Sequence, residues 1–70
     1  MLKMYIDGMK DEHCASLIRA ALGDLEGMHE IREVNCYKHY ALISCNTDEN
    51  ILRDAIENEG YNVSKIEKCD

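Results

Sequence analysis

Leu2-Lys3-Met4-Tyr5-Ile6-Asp7-Gly8 alternates apolar and polar side chains; further on, through Ile18-Arg19-Ala20-Ala21-Leu22-Gly23-Asp24-Leu25, the spacing lengthens. The first run has the period of two that sets Leu2, Met4 and Ile6 on one face of a strand. In the second, Ile18, Ala21, Leu22 and Leu25 make a helical stripe, with Arg19 and Asp24 outside it. Gly8 breaks the strand. The helical pattern starts at Asp11 and closes at Gly27.

Outward from this strand-to-helix switch, residues from about Glu30 to Cys36 and from about Tyr40 to Cys45 read as two more strands, joined near Tyr37-Lys38-His39. Val34 and Cys36, with Ala41, Ile43 and Cys45, make one consistent face, while Tyr40 and Leu42 make the other. A slip of one residue swaps the two. Ile31 is apolar but out of phase with Val34, which predicts a bulge between them. Thr47-Asp48-Glu49 is a helix start, a capping hydroxyl followed by acids, with Thr47 expected as the cap. Leu52, Ala55 and Ile56 supply the stripe, Gly60 ends the helix, and Tyr61 to Ile66 is the last strand. The order is βαββαβ. With right-handed crossovers its compact solution is an α+β, ferredoxin-like open-faced sandwich, a four-stranded antiparallel sheet with two helices on one face.

Seventy residues make one domain, 1–70, which buries only about 60% of the surface its unfolded chain exposes. Hydrophobic residues at 46% exclude a disordered tail, and no apolar run is long enough to span a membrane. The 14 acidic residues outnumber 8 basic ones, a net charge of −6, which repels nucleic acid and anionic lipid and favours a basic protein partner. Cys14, Cys36, Cys45 and Cys69 come with no CxxC pair and no secretory signal. That context implies free thiols in a reducing, cytoplasmic compartment.

Gly8-Met9 followed by Cys14, then Ile18, Ala21-Leu22, Leu25, Gly27-Met28, Val34-Asn35, Ala41, Ala55-Ile56-Glu57 and Gly60-Tyr61, resembles the heavy-metal-associated domain family. That family holds small copper chaperones, amino-terminal domains of metal-exporting P-type ATPases and mercury-scavenging proteins. The likeness runs from about Ile6 to Val63. The family's metal loop, Gly-Met-x-Cys-x-x-Cys, corresponds here to Gly8-Met9-Lys10-Asp11-Glu12-His13-Cys14. Its second cysteine is present as Cys14, while Asp11 stands in place of the first.

In this topology the loop after the first strand, the turn after the second and the start of the last strand share one end of the sheet. That end gathers Asp11, Glu12, His13, Cys14, Cys36, His39 and Tyr61. Cys14 falls in the first turn of the helix, where backbone N–H groups favour a thiolate and the charges of Asp11 and Glu12 oppose it. The expected metal residues are Cys14, His13 and Asp11. The resemblance implies Cu(I) as the ion, whereas a thiolate, an imidazole and a carboxylate suit Zn(II), Co(II) or Ni(II). Two chains could also share one ion through their Cys14 residues, a metal-bridged homodimer. Without metal, Asp11 suits a helix N-cap, Met9 a core plug, Tyr61 a shield over the loop, and Cys36 and Cys45 the interior.

Three functions fit these residues. The first is a metal-binding domain or metallochaperone that passes its ion to a basic or homologous metal-transport domain. The second is a degenerate member serving as an interaction or regulatory module, and the third is a reactive-thiol protein. No nucleophile–base–acid set or phosphate-cradling loop accompanies them, so an enzyme is not expected.

Overall fold

The computed structural model describes residues 1–69, with the elements β1 Leu2–Asp7, α1 Glu12–Gly23, β2 Met28–Asn35, β3 Tyr40–Cys45, α2 Glu49–Asn58 and β4 Asn62–Lys68. The strands form one antiparallel sheet in the order β2-β3-β1-β4. Alternation along each strand decides its faces. Met4, Ile6, Val34, Ala41, Ile43 and Val63 point inward and are buried, whereas Lys3, Tyr5, Tyr40 and Leu42 lie half-exposed on the other side. Helix α1 meets the inner face with Ala15, Ile18 and Leu22, and α2 meets it with Leu52 and Ile56. Each fully buried Leu or Ile contributes about 1.5–3 kcal/mol by leaving water. This is the ferredoxin-like sandwich that the βαββαβ order predicts.

Of the two faces that the sequence leaves open for β2 and β3, the one with Val34, Cys36, Ala41 and Ile43 is buried, while Cys45 is half-buried. The pairing of β2 with β3 shifts between Ile31 and Glu33, where the phase break implies a bulge, and again between Met28 and Glu30. Two helix boundaries differ from expectation. Helix α1 ends at Gly23, not Gly27, because Gly23 and Asp24 are weak helix formers and Leu25 N–H turns to the Leu22 carbonyl in a tighter closing bond of 3.2 Å. Asp48, not Thr47, caps α2, its carboxylate accepting from Asn50 N–H at 2.7 Å. The Thr47 hydroxyl instead donates to the Glu26 carbonyl at 2.6 Å, tying the loop before β2 to the loop before α2.

Pairings of Asp7 with Asn62, Tyr5 with Tyr40, and Asn35 with Tyr40 put three segments at one end of the sheet. They are the β1–α1 loop, the β2–β3 turn and the start of β4. Ile6 N–H donates to the His39 carbonyl at 2.8 Å and locks the turn against the first strand. Among the described residues no helix is long and apolar enough to cross a membrane.

Candidate metal-binding loop

Gly8 turns the chain out of β1 at φ +104°, and a Cβ there would stand 3.2 Å from the Tyr61 ring. The loop and the ring thus approach as closely as they do because residue 8 has no side chain. Met9 is buried beneath the loop, the core plug its position implies. Asp11 is the N-cap of α1, and its Oδ1 accepts from His13 N–H at 3.1 Å and Cys14 N–H at 3.2 Å. These bonds satisfy two of the donors that a helix start leaves open. They also hold the Asp11 carboxyl below its ordinary range, the bond from Cys14 N–H most of all.

Cys14 is three residues past the cap and half-exposed. A hydrogen bond from the Tyr61 hydroxyl lowers its thiol pKa, helped by the backbone N–H groups of Lys10 and Asp11, while partial burial and the Asp11 charge push the other way. The net direction is downward, and its largest cause is Tyr61, a residue outside the helix start. The Tyr61 phenol, hydrogen-bonded to the Cys14 sulfur, is pushed up to about 12. Tyr61 is therefore a thiolate donor as well as a shield.

The signs for stability follow. The Cys14 pKa is depressed in the fold, so its contribution is present above the ordinary thiol value and is lost as pH falls through the lowered one. Tyr61 is raised, so its contribution is present below 10 and is lost as pH climbs toward about 12. Tyr61→Phe removes the leading donor. Its Cys14 should therefore titrate at higher pH than in the wild type and alkylate more slowly at neutral pH, as iodoacetamide rates across a pH series will show.

On the neighbouring turn, Asn35 Oδ1 accepts from Tyr37 N–H at 3.0 Å and Lys38 N–H at 2.9 Å, and His39 takes a left-handed φ of 61°. Cys36, just past β2, is 2% exposed, the interior position expected of it. Its thiol nevertheless donates to Glu12 Oε1 at 3.7 Å, a contact across 24 residues that the sequence does not announce. Burial, together with the Glu12 charge, pushes the Cys36 thiol up. His13 and His39 are exposed. Among the described residues no group of three or more His, Cys, Asp or Glu side chains gathers as a metal site. Cys14 and Asp11 are thus adjoining, with His13 beside them in the first turn, and a cation there would meet an open arrangement with few ligands. An open concavity of about 470 Å³ lies at the far end of the sheet, lined in part by Leu2, Cys45 and Asp48, away from this chemistry.

A scan against protein-family models finds no match. Among curated proteins, the chain is 36% identical over 62 residues to the copper chaperone CopZ of Staphylococcus epidermidis, covering 83% of this chain and 88% of the relative. It is 29% identical over 65 residues to the copper chaperone CopZ of Bacillus subtilis, covering 89% and 93%. Among solved structures, the amino-terminal domain of PacS from Synechocystis PCC6803 superposes with a TM-score of 0.84 at 31% identity, covering 96% of each chain.

Proposed function

We propose that this chain, which belongs to the heavy-metal-associated domain family, is a small carrier that takes up a transition-metal ion as cargo on Cys14. The observation that carries this reading is the Cys14 thiol, half-exposed in the first turn of α1, with its pKa lowered by the Tyr61 hydroxyl and by backbone N–H groups. A thiolate is the form that binds soft metals. Relatives named copper chaperones support Cu(I). Zn(II) or another divalent ion fits Cys14 with His13 and Asp11, since Oδ2 of Asp11 is not used in the cap.

An exposed loop with few ligands suits release by ligand exchange, in which a partner's donors replace this chain's one at a time. The partner would be a basic or homologous domain of a metal-transport protein, drawn by the net charge of −6, in the cytoplasm. Two copies could also close on one ion through paired Cys14 thiolates. One observation favours the alternative of an interaction module: the residue in place of the first cysteine is committed to capping α1.

Competition titration of the reduced protein with Cu(I), Zn(II), Co(II) and Ni(II) against chelators separates these readings. A carrier binds at least one ion tightly enough to outcompete buffer, loses that binding in Cys14→Ser, and weakens it for the divalent ions in His13→Ala. Failure to compete for any ion leaves the interaction module.

A further inference from the structure

Of the arginines Arg19, Arg32 and Arg53, only Arg53 is not exposed. It lies in α2, with Asp54 beside it and Glu57 one turn on, yet it takes part in neither of the two ion pairs among the described residues. Its Nη1 donates instead to the Val63 carbonyl at 2.9 Å. That carbonyl stands at the irregular point of β4. Tyr5 pairs with Lys65 but Ile6 with Val63, so Ser64 is an extra residue, and its hydroxyl donates to the Tyr5 carbonyl at 3.3 Å. A bulge of this kind bends its strand and re-aims the side chains next to it. Here the bent end leads to Tyr61, whose N–H donates to the Ile56 carbonyl of α2 at 3.3 Å. Two bonds to α2 thus bracket Tyr61, Asn62 and Val63. The Tyr61 ring meets the loop where a Cβ on Gly8 would stand 3.2 Å from it.

Resting on the reading that Cys14 carries an ion, we propose that Arg53 is a positioning residue for it, fixing the bulge of β4 through the Val63 carbonyl and so holding Tyr61 against the loop. Its action is indirect, through the ring. With the clamp released, the ring is free to move off the Cys14 sulfur, which opens that sulfur to a competing donor and speeds ligand exchange. An i, i+4 pair with Glu57 would serve α2 alone. The bond to Val63 serves the join between α2 and β4, and a planar, permanently charged guanidinium suits a fixed clamp.

The test uses the reduced full chain. In the apo form the Tyr61 ring shifts the Gly8 proton resonances, and Arg53→Met, which keeps the stem but no donor, should move them toward those of Tyr61→Ala. Arg53→Lys, a point donor without the planar fork, should fall between the two, and it decides should Arg53→Met fail to fold. Loaded with Cu(I), Arg53→Met should pass its ion to a chelator roughly 2- to 10-fold faster than the wild type, the scale of one net hydrogen bond. The double variant with Tyr61→Ala should release no faster than Tyr61→Ala alone, since a residue acting through the ring has nothing left to hold. Gly8 resonances unchanged in these Arg53 variants, or release effects that multiply in the double variant, overturn the role of Arg53 and leave Cys14 as the carrier. A wild type that shows the Gly8 shift but does not hold Cu(I) overturns the retention role instead, and with it Cu(I) as the cargo.

Discussion

Asp11→Cys should tighten Cu(I) binding by roughly 10- to 100-fold, taking as its scale the change that a single supporting partner makes at a metal site. The substitution puts two thiols on one loop, three residues apart. Neither is then in the core, and Cu(I) gains its soft pair without disturbing Cys36, which is 2% exposed. The same change weakens the fold, because Asp11 Oδ1 caps His13 N–H and Cys14 N–H. Its apo form should unfold at lower denaturant than the wild type. A further consequence concerns acid. Asp11 has its pKa depressed in the fold, so its contribution is present above the ordinary carboxylate range and is lost as pH falls through the lowered value. That part of the acid dependence should be missing from Asp11→Cys. Chelator competition for Cu(I) and denaturant curves across pH check both halves. Unchanged Cu(I) affinity would mean that the loop is not where the ion sits.

Leu22→Ala should cost about 2–5 kcal/mol, the range for a large-to-small change at a sealed core position. Leu22 is fully buried, on the stripe that clamps α1 to the sheet. A domain of this size has roughly 4–10 kcal/mol of net stability at the usual amount per residue. The single substitution therefore removes a large share of it. Because α1 holds Cys14 in reach of Tyr61 and of the Lys10 and Asp11 N–H groups, alkylation of Cys14 should slow at neutral pH as the helix loosens. Denaturant unfolding of the reduced apo protein measures the first effect, and iodoacetamide rates the second. A loss below 1 kcal/mol would contradict the packing described for α1.

The difference between what the sequence tells and what it withholds follows the range of each interaction. Alternation in Leu2–Asp7 and the stripe of Ile18 and Leu22 are local patterns, and the elements they predict are present. The phase break at Ile31 likewise marks a bulge, since a face that must stay buried forces the pairing to shift. Thr47 and Asp48 are both good caps, and local preference does not choose between them. The Glu26 carbonyl does, by engaging the Thr47 hydroxyl from a loop 21 residues earlier. At the candidate site, Asp11 as cap and Met9 as plug are legible because each acts on its own neighbourhood. The bond between Tyr61 and Cys14 and the one between Cys36 and Glu12 are not, because each joins elements that meet only after the sheet forms. For that reason the direction of the Cys14 shift waits on the structure, even though the residue itself stands out in the sequence.

The central claim is that Cys14 holds a cation as a thiolate, and heteronuclear NMR of the reduced protein tests it at that atom. On titration with Cu(I) or Zn(II), the Cys14 Cβ resonance should move with saturable, stoichiometric behaviour, together with the amides of Lys10 to Cys14 and the Tyr61 ring. Spectra that stay superimposable at this end of the sheet for every ion, at concentrations well above those of the protein, would contradict it.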